Sequence, residues 1–177
     1  MQANALRCPR RPEESPLRRI DFSRMRCPVA RAMSILGERW TILILREAFA
    51  GTTRFDAFER NLGIAPNILS ARLAALVRHG VLERVPDGGR HAYRLTERGR
   101  DAFPLYLAIR DWGARHLSGP EGPPTLMVDN ATGEPVVAPT PRRADGTPIA
   151  PEDVRILPGP GANEAVRRRF GTEAGHG

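Results

Sequence analysis

The apolar positions of this chain fall into blocks with a helical period, and the clearest block covers residues 66–79. There Leu69, Leu73, Leu76 and Val77 lie on one stripe. Asn67, Ala71, Ala74 and Arg78 lie opposite, with Ser70 at the edge. Pro66 opens the block, where a missing N–H costs nothing, and Gly80 closes it. The outer face is small or polar, so nothing bulky keeps it from lying against another surface. Alternation follows in Val81-Leu82-Glu83-Arg84-Val85, a turn at Asp87-Gly88-Gly89, and Arg90-His91-Ala92-Tyr93-Arg94-Leu95. Two such runs about a Gly-containing turn predict a β-hairpin. Upstream, Val29, Met33 and Leu36 predict a helix with Pro28 in its first turn and Gly37 at its end. A second helix, Arg39 to Ala50, has Trp40, Leu43, Ile44 and Ala48 on one stripe. Ile42, Leu45 and Phe49 fill much of the remaining circumference, the pattern of a buried helix. Thr52-Thr53-Arg54-Phe55 reads as an extended link able to pair with the hairpin. Asp56 begins a third helix with Phe58 and Leu62 inward, and Gly63 turns the chain toward Pro66.

Beyond the hairpin, Thr96 is placed to cap a helix running from Glu97 to Leu117. Phe103, Leu107 and Arg110 share one side of it, and Leu105, Tyr106, Ile109 and Trp112 widen the apolar surface. Pro104 predicts a kink, or marks the first regular turn. This helix exceeds what one small domain needs to cover, which points to a second copy of the chain as a partner. Residues 125–128, 135–137 and 153–157 read as short strands, separated by turns at 130–133 and 145–146. The expected order is a disordered arm (1–23), a main domain (24–118), a linker (119–124), a small β-rich extension (125–161) and a disordered tail (162–177). The fold class is therefore mainly α with a small β-hairpin wing, a winged helix-turn-helix, plus a small β-rich C-terminal extension.

Charge sharpens this. The formal net charge is +7 over 177 residues, with +4 in residues 1–27, +5 in 28–118 and −2 in 119–177. The first two thirds suit a polyanion and the last third does not. All 27 basic residues are Arg, so codon bias of a GC-rich genome accounts for much of the Arg usage, and its placement carries more weight than its amount. Cys8 and Cys27 are the only cysteines, which is no disulfide framework and fits a reducing cytoplasm. The longest apolar run, near 40–45, is too short to span a bilayer, so no membrane partner is expected. His79, His91, His116 and His176 are scattered without carboxylate partners, and neither a phosphate-binding Gly loop nor metal-ligand spacing occurs. The expectation is no catalysis, no metal and no cofactor.

Cys27-Pro28-Val29-Ala30-Arg31-Ala32-Met33, Gly37-Glu38-Arg39-Trp40-Thr41-Ile42-Leu43-Ile44-Leu45-Arg46 and Arg54-Phe55 resemble the HxlR-type family of bacterial transcriptional regulators. So do Ile68-Leu69-Ser70-Ala71-Arg72-Leu73, Tyr93-Arg94-Leu95-Thr96-Glu97-Arg98-Gly99 and Trp112-Gly113, a likeness covering about residues 24–118. It implies a homodimer on double-stranded operator DNA, with dimer contacts from the first and last helices. Residues 125–161 resemble an extension that in some relatives carries cysteine pairs in a zinc ribbon; here those turns contain no cysteine, so a metal-free shape is expected. The hairpin is shorter than in many relatives, and Ala65 stands where many have a capping Ser.

On this reading helix 66–79 enters a major groove, with Asn67, Ser70 and Ala71 near its start facing base edges. The alternative is an ordinary solvated face. Arg72 and Arg78 would meet phosphate or bases; for Arg72 the alternative is an ion pair to a neighbouring helix. Arg84, Arg90 and His91 in the wing (84–91) would meet backbone or minor groove, against a simple solvated turn. Arg54 is a weaker backbone candidate. Cys27, at a helix start beside Arg24 and Arg26, is a candidate sensor of oxidants, against a merely packed cysteine. The effector would be an oxidant at Cys27 or a small apolar molecule near Trp40 and Trp112. The combined expectation is a cytoplasmic, dimeric, sequence-specific repressor; the alternatives are a winged helix for protein docking or an architectural DNA binder.

Overall fold

The computed structural model describes residues 21–171. Residues 1–20, and with them Cys8 and most of the N-terminal arm, lie outside the described residues, as do 172–177. The described residues group into two compact units that divide after Tyr106.

The first unit holds helices α1 (Pro28–Leu36), α2 (Arg39–Phe49), α3 (Phe55–Leu62) and α4 (Pro66–Arg78), the antiparallel pair β1 (Leu82–Asp87) and β2 (Arg90–Leu95), and the short α5 (Glu97–Arg100). Pro28 and Pro66 occupy first turns as expected. Gly63 ends α3 at φ 59°, a left-handed position that favours glycine, and so bends the chain into α4. α2 is the central element, packed against α1, α3, α4 and β2. Phe58, Ile44, Leu45, Leu69, Leu73, Leu76 and Leu82 are fully buried and form the core.

The inward face of α2 differs from the expected stripe. Thr41, Ile44 and Leu45 are buried, whereas Trp40 and Leu43 are half-exposed. A helix that is apolar on most sides does not declare its inward face by periodicity alone, and here a threonine turns in. Glu47 then fastens the unit. Its carboxylate accepts from Asn61 Nδ2 (2.9 Å), Arg46 Nη2 (2.9 Å) and Thr52 Oγ1 (3.4 Å), linking α2 to α3 and to the loop between them. Burial pushes this carboxyl up, but the bonds from Asn61, Arg46 and Thr52 outweigh it and hold it below its ordinary 4.5. Its side chain is only 13% exposed. Glu47→Gln is expected to cost about 1–2 kcal/mol in urea unfolding at neutral pH. Because the folded value is the lower one, this stabilisation is complete above the unfolded value and is lost as pH falls through the folded one. The variant should therefore lose less stability than the wild type on acidification below pH 4.5.

The hairpin pairs Leu82 with Leu95 and Asp87 with Arg90, closing on Gly88 (φ 54°) and Gly89 (φ 77°). Two central residues at positive φ are what a two-residue type I′ turn requires. The expected pairing of the 52–55 link also forms: Tyr93 N donates to Thr53 O at 2.8 Å and Arg54 bridges Ala92. Thr96 Oγ1 caps α5 by accepting from Gly99 N at 3.0 Å.

The single helix expected from Glu97 to Leu117 is two. α5 stops at Arg100, and α6 (Phe103–Leu117) restarts with Pro104 in its first turn, where its ring is tolerated. Phe49 meets Phe103 edge-on at a centroid separation of 5.1 Å and stacks on Tyr106 at 5.4 Å.

The second unit, from Leu107 on, corrects the expected strands. Residues 125–128, 135–137 and 153–157 form no strand; only single bridges occur, Val128 to Pro135 and Arg142 to Pro148. Pro135, Pro139, Pro141, Pro148 and Pro151 remove the donors a ladder would need. The turns survive on carboxylates. Asp129 accepts from Ala131 N (2.7 Å) and Thr132 N (3.0 Å), and Asp145 accepts from Thr147 N (2.9 Å). Part of the expected disordered tail is helical: α7 (Glu164–Phe170) is capped by Asn163, whose side chain accepts from Val166 N at 3.0 Å. Among the described residues no cluster of three or more His, Cys, Asp or Glu is placed to hold a metal, and no helix is long and apolar enough to cross a membrane.

Candidate nucleic-acid interface

α3, the turn at Gly63 and α4 form the helix-turn-helix. Burial of Leu69, Leu73 and Leu76 fixes the rotation of α4, which leaves Asn67, Ser70, Ala71, Ala74 and Arg78 exposed along its outer side. Ile68 is the one large apolar side chain exposed on this helix.

The hairpin supplies a second surface. Arg54, Arg84, Arg90 and His91 line one cleft of about 420 Å³ with Phe55, Asp56 and Tyr93. Four of the candidate residues are thus brought together from two strands and the link before α3. Arg54 is held by Asp87, through its carboxylate and through the backbone oxygen at 3.2 Å. Arg84 Nη2 lies 2.9 Å from His91 Nδ1. Arginine only donates, so Nδ1 accepts and the ring proton sits on Nε2, a donor suited to a phosphate oxygen.

Arg72 falls elsewhere. At 100° per residue Arg72 is about 140° round the helix from Asn67, toward α2. Its Nη2 meets Glu38 Oε2 at 3.1 Å, the ion pair that was the alternative reading, and its side chain is 26% exposed. Arg78 stays on the outer side, about 20° round from Asn67, and also borders a cavity with Arg72. The partner of Arg72, Glu38, stands just ahead of α2, and the wheel position of that arginine, off the outer face, was the available signal for such a pair. Cys27 stands exposed at the start of α1, with no capping bond from its side chain.

The model of the HxlR-like helix-turn-helix family matches residues 35–120. The HTH-type transcriptional regulator Rv3095 of Mycobacterium tuberculosis, itself uncharacterised, is 46% identical over 136 residues, covering 75% of this chain and 86% of that one. The chain belongs to the HxlR-like helix-turn-helix family. A more distant relative is the uncharacterised HTH-type transcriptional regulator YdeP of Bacillus subtilis, 33% identical over 51% of this chain and 73% of that one. Among solved structures, the candidate transcription factor PA1607 is 44% identical with a TM-score of 0.74, covering 77% of this chain and 98% of that one. The likeness to Rv3095 is longer than the family segment, so it reaches beyond the winged helix. As an HxlR-like protein the chain is a DNA-binding transcriptional regulator of the helix-turn-helix type and not an enzyme.

Proposed function

We propose that this regulator reads a specific operator, with α4 in the major groove and the hairpin on the flanking backbone or minor groove. The observation that supports this best is the outer side of α4: Asn67, Ser70, Ala71 and Ala74 are all exposed and all small. A groove admits a helix whose leading face has short side chains and donors near its start. The cationic cleft supplies phosphate contacts through Arg84, Arg90 and His91, with Arg54 steadied by Asp87. Arg72 is left out of the contact set because Glu38 engages it.

Homodimerisation completes the proposal. Each unit leaves apolar side chains in water: Val29 (69% exposed) and Met33 on α1, and Ile109 and Trp112 (54% exposed) on α6. Covering them with a second copy would set two reading helices about one turn of DNA apart. A dimer seated over a promoter represses it.

Binding to DNA from upstream of its own and adjacent genes, titrated at several salt concentrations, tests the reading. Affinity should be sequence-selective and fall steeply with salt. Replacing Arg84, Arg90 and His91 with Ala should lower the slope of log affinity against log salt by about one unit for each phosphate that is no longer neutralised, equally on all sequences. Salt-dependent binding without sequence preference would make the protein architectural. Absence of binding to any DNA would transfer the wing to protein docking.

A further inference from the structure

Ile68 breaks the pattern of α4. It stands in the first turn and is 38% exposed, whereas the other large apolar residues of the helix, Leu69, Leu73, Leu76 and Val77, are buried in the core or packed against it. At 100° per residue it lies about 60° round from Ala71 and about 20° from Ala75, at the edge of the outer surface. Ala71 and Ala75 stop at Cβ. Arg72, the next residue along that edge, is drawn off to Glu38 Oε2 at 3.1 Å. A helical side chain leans back toward the start of its helix, so Ile68 projects over the end of α4 beside Asn67. Its β-branch leaves essentially one rotamer in a helix, so its methyl surface is held in place before any contact is made.

A lone exposed isoleucine is ordinary on most surfaces. This one borders the surface that the DNA-binding reading puts into a major groove, and the apolar group a major groove offers is the 5-methyl of thymine. We propose that Ile68 is a specificity-determining residue that selects thymine through this methyl. The inference rests on the DNA-binding reading above. Consecutive Cα atoms are about 3.8 Å apart and stacked base pairs about 3.4 Å, so the thymine falls at the pair that Asn67 reads or one step from it. Cytosine at the same place carries no methyl and sets an N4 amino donor against the isoleucine, where it finds no acceptor. Selection therefore has an attractive and a repulsive side.

The test uses the full chain and a duplex of the sequence it selects from a random pool. Each thymine is replaced in turn by uracil, which lacks only the methyl, and affinity is read for wild type, Ile68→Ala and Ile68→Val. Wild type should lose about fourfold for the methyl in one half-site, and about fifteenfold when both half-sites of a dimer are changed. Ile68→Ala should bind the thymine and uracil duplexes alike at that position and respond as wild type does elsewhere. Ile68→Val should keep part of the discrimination, and it serves alone if the alanine variant does not fold. The coupling between residue and methyl is what is read, so a change in stability alone does not mimic it. A selected duplex on which no uracil separates wild type from either variant overturns the role of Ile68 and leaves the operator reading standing. So does a separation more than one step from the pair at which Asn67→Ala relaxes preference. A pool from which no sequence is selected overturns both.

Discussion

Ala71→Glu is expected to keep its Tm within a few degrees of wild type and to lose operator binding by a hundredfold or more. Ala71 is exposed on the outer side of α4, one turn beyond Asn67 and clear of the buried stripe. Glutamate is a good helix former, and an exposed change of this kind moves stability by roughly 0.5 kcal/mol or less. In the groove the same side chain puts a carboxylate among phosphates, and like charges at an interface cost several kcal/mol. A hundredfold loss corresponds to about 2.7 kcal/mol, so the expectation is conservative. Asn67→Ala should act differently. It loses about 1–3 kcal/mol and relaxes preference at one base pair, leaving the salt slope unchanged. Anisotropy titrations beside thermal melts check both. If Ala71→Glu binds as tightly as wild type, α4 is not the reading helix.

Gly99→Ala should be the most damaging one-carbon change in the first unit. A Cβ built at Gly99 would sit 2.1 Å from Val81 O and 3.1 Å from Leu95 Cδ2. That carbonyl cannot simply retreat, because it accepts from Thr96 N at 3.2 Å and from Thr96 Oγ1 at 3.2 Å. Val81 is buried and leads directly into β1, so relief requires moving the hairpin against α5. The expected cost is about 3 kcal/mol, which lowers Tm by on the order of 10 °C or more for a domain of this size. DNA affinity should fall with it, since the displaced strands carry Arg84, Arg90 and His91. An unchanged melt would mean that this corner is far softer than its hydrogen bonds imply.

These two sites show what the sequence could and could not disclose. Pro66, Gly63, Gly80 and Gly88-Gly89 are local devices whose chemistry acts within a few residues, and the elements they bound were legible directly. Thr96 was legible as a cap for the same reason. The pairings that shape the site are not local. Arg54 with Asp87, and Arg72 with Glu38, join residues more than thirty apart, and no periodicity encodes them. The face of α2 was hidden by an excess of apolar residues, since Trp40 and Leu43 compete with Thr41 and Ile44 for the same core. In the extension, alternating apolar residues suggested strands, but proline spacing overrode the alternation and left isolated bridges.

The Arg54–Asp87 tether has a consequence for DNA choice. Together with the Thr53–Tyr93 bond it ties the hairpin tip to the entry of α3, so on the proposed DNA-binding reading the two contact surfaces advance as one caliper. A caliper set at one opening gauges the width of the groove it straddles. Duplexes that pinch or spread at the flank would be rejected there without a single base being touched, and cutting the tether with Asp87→Ala would blunt that discrimination before it weakened the grip.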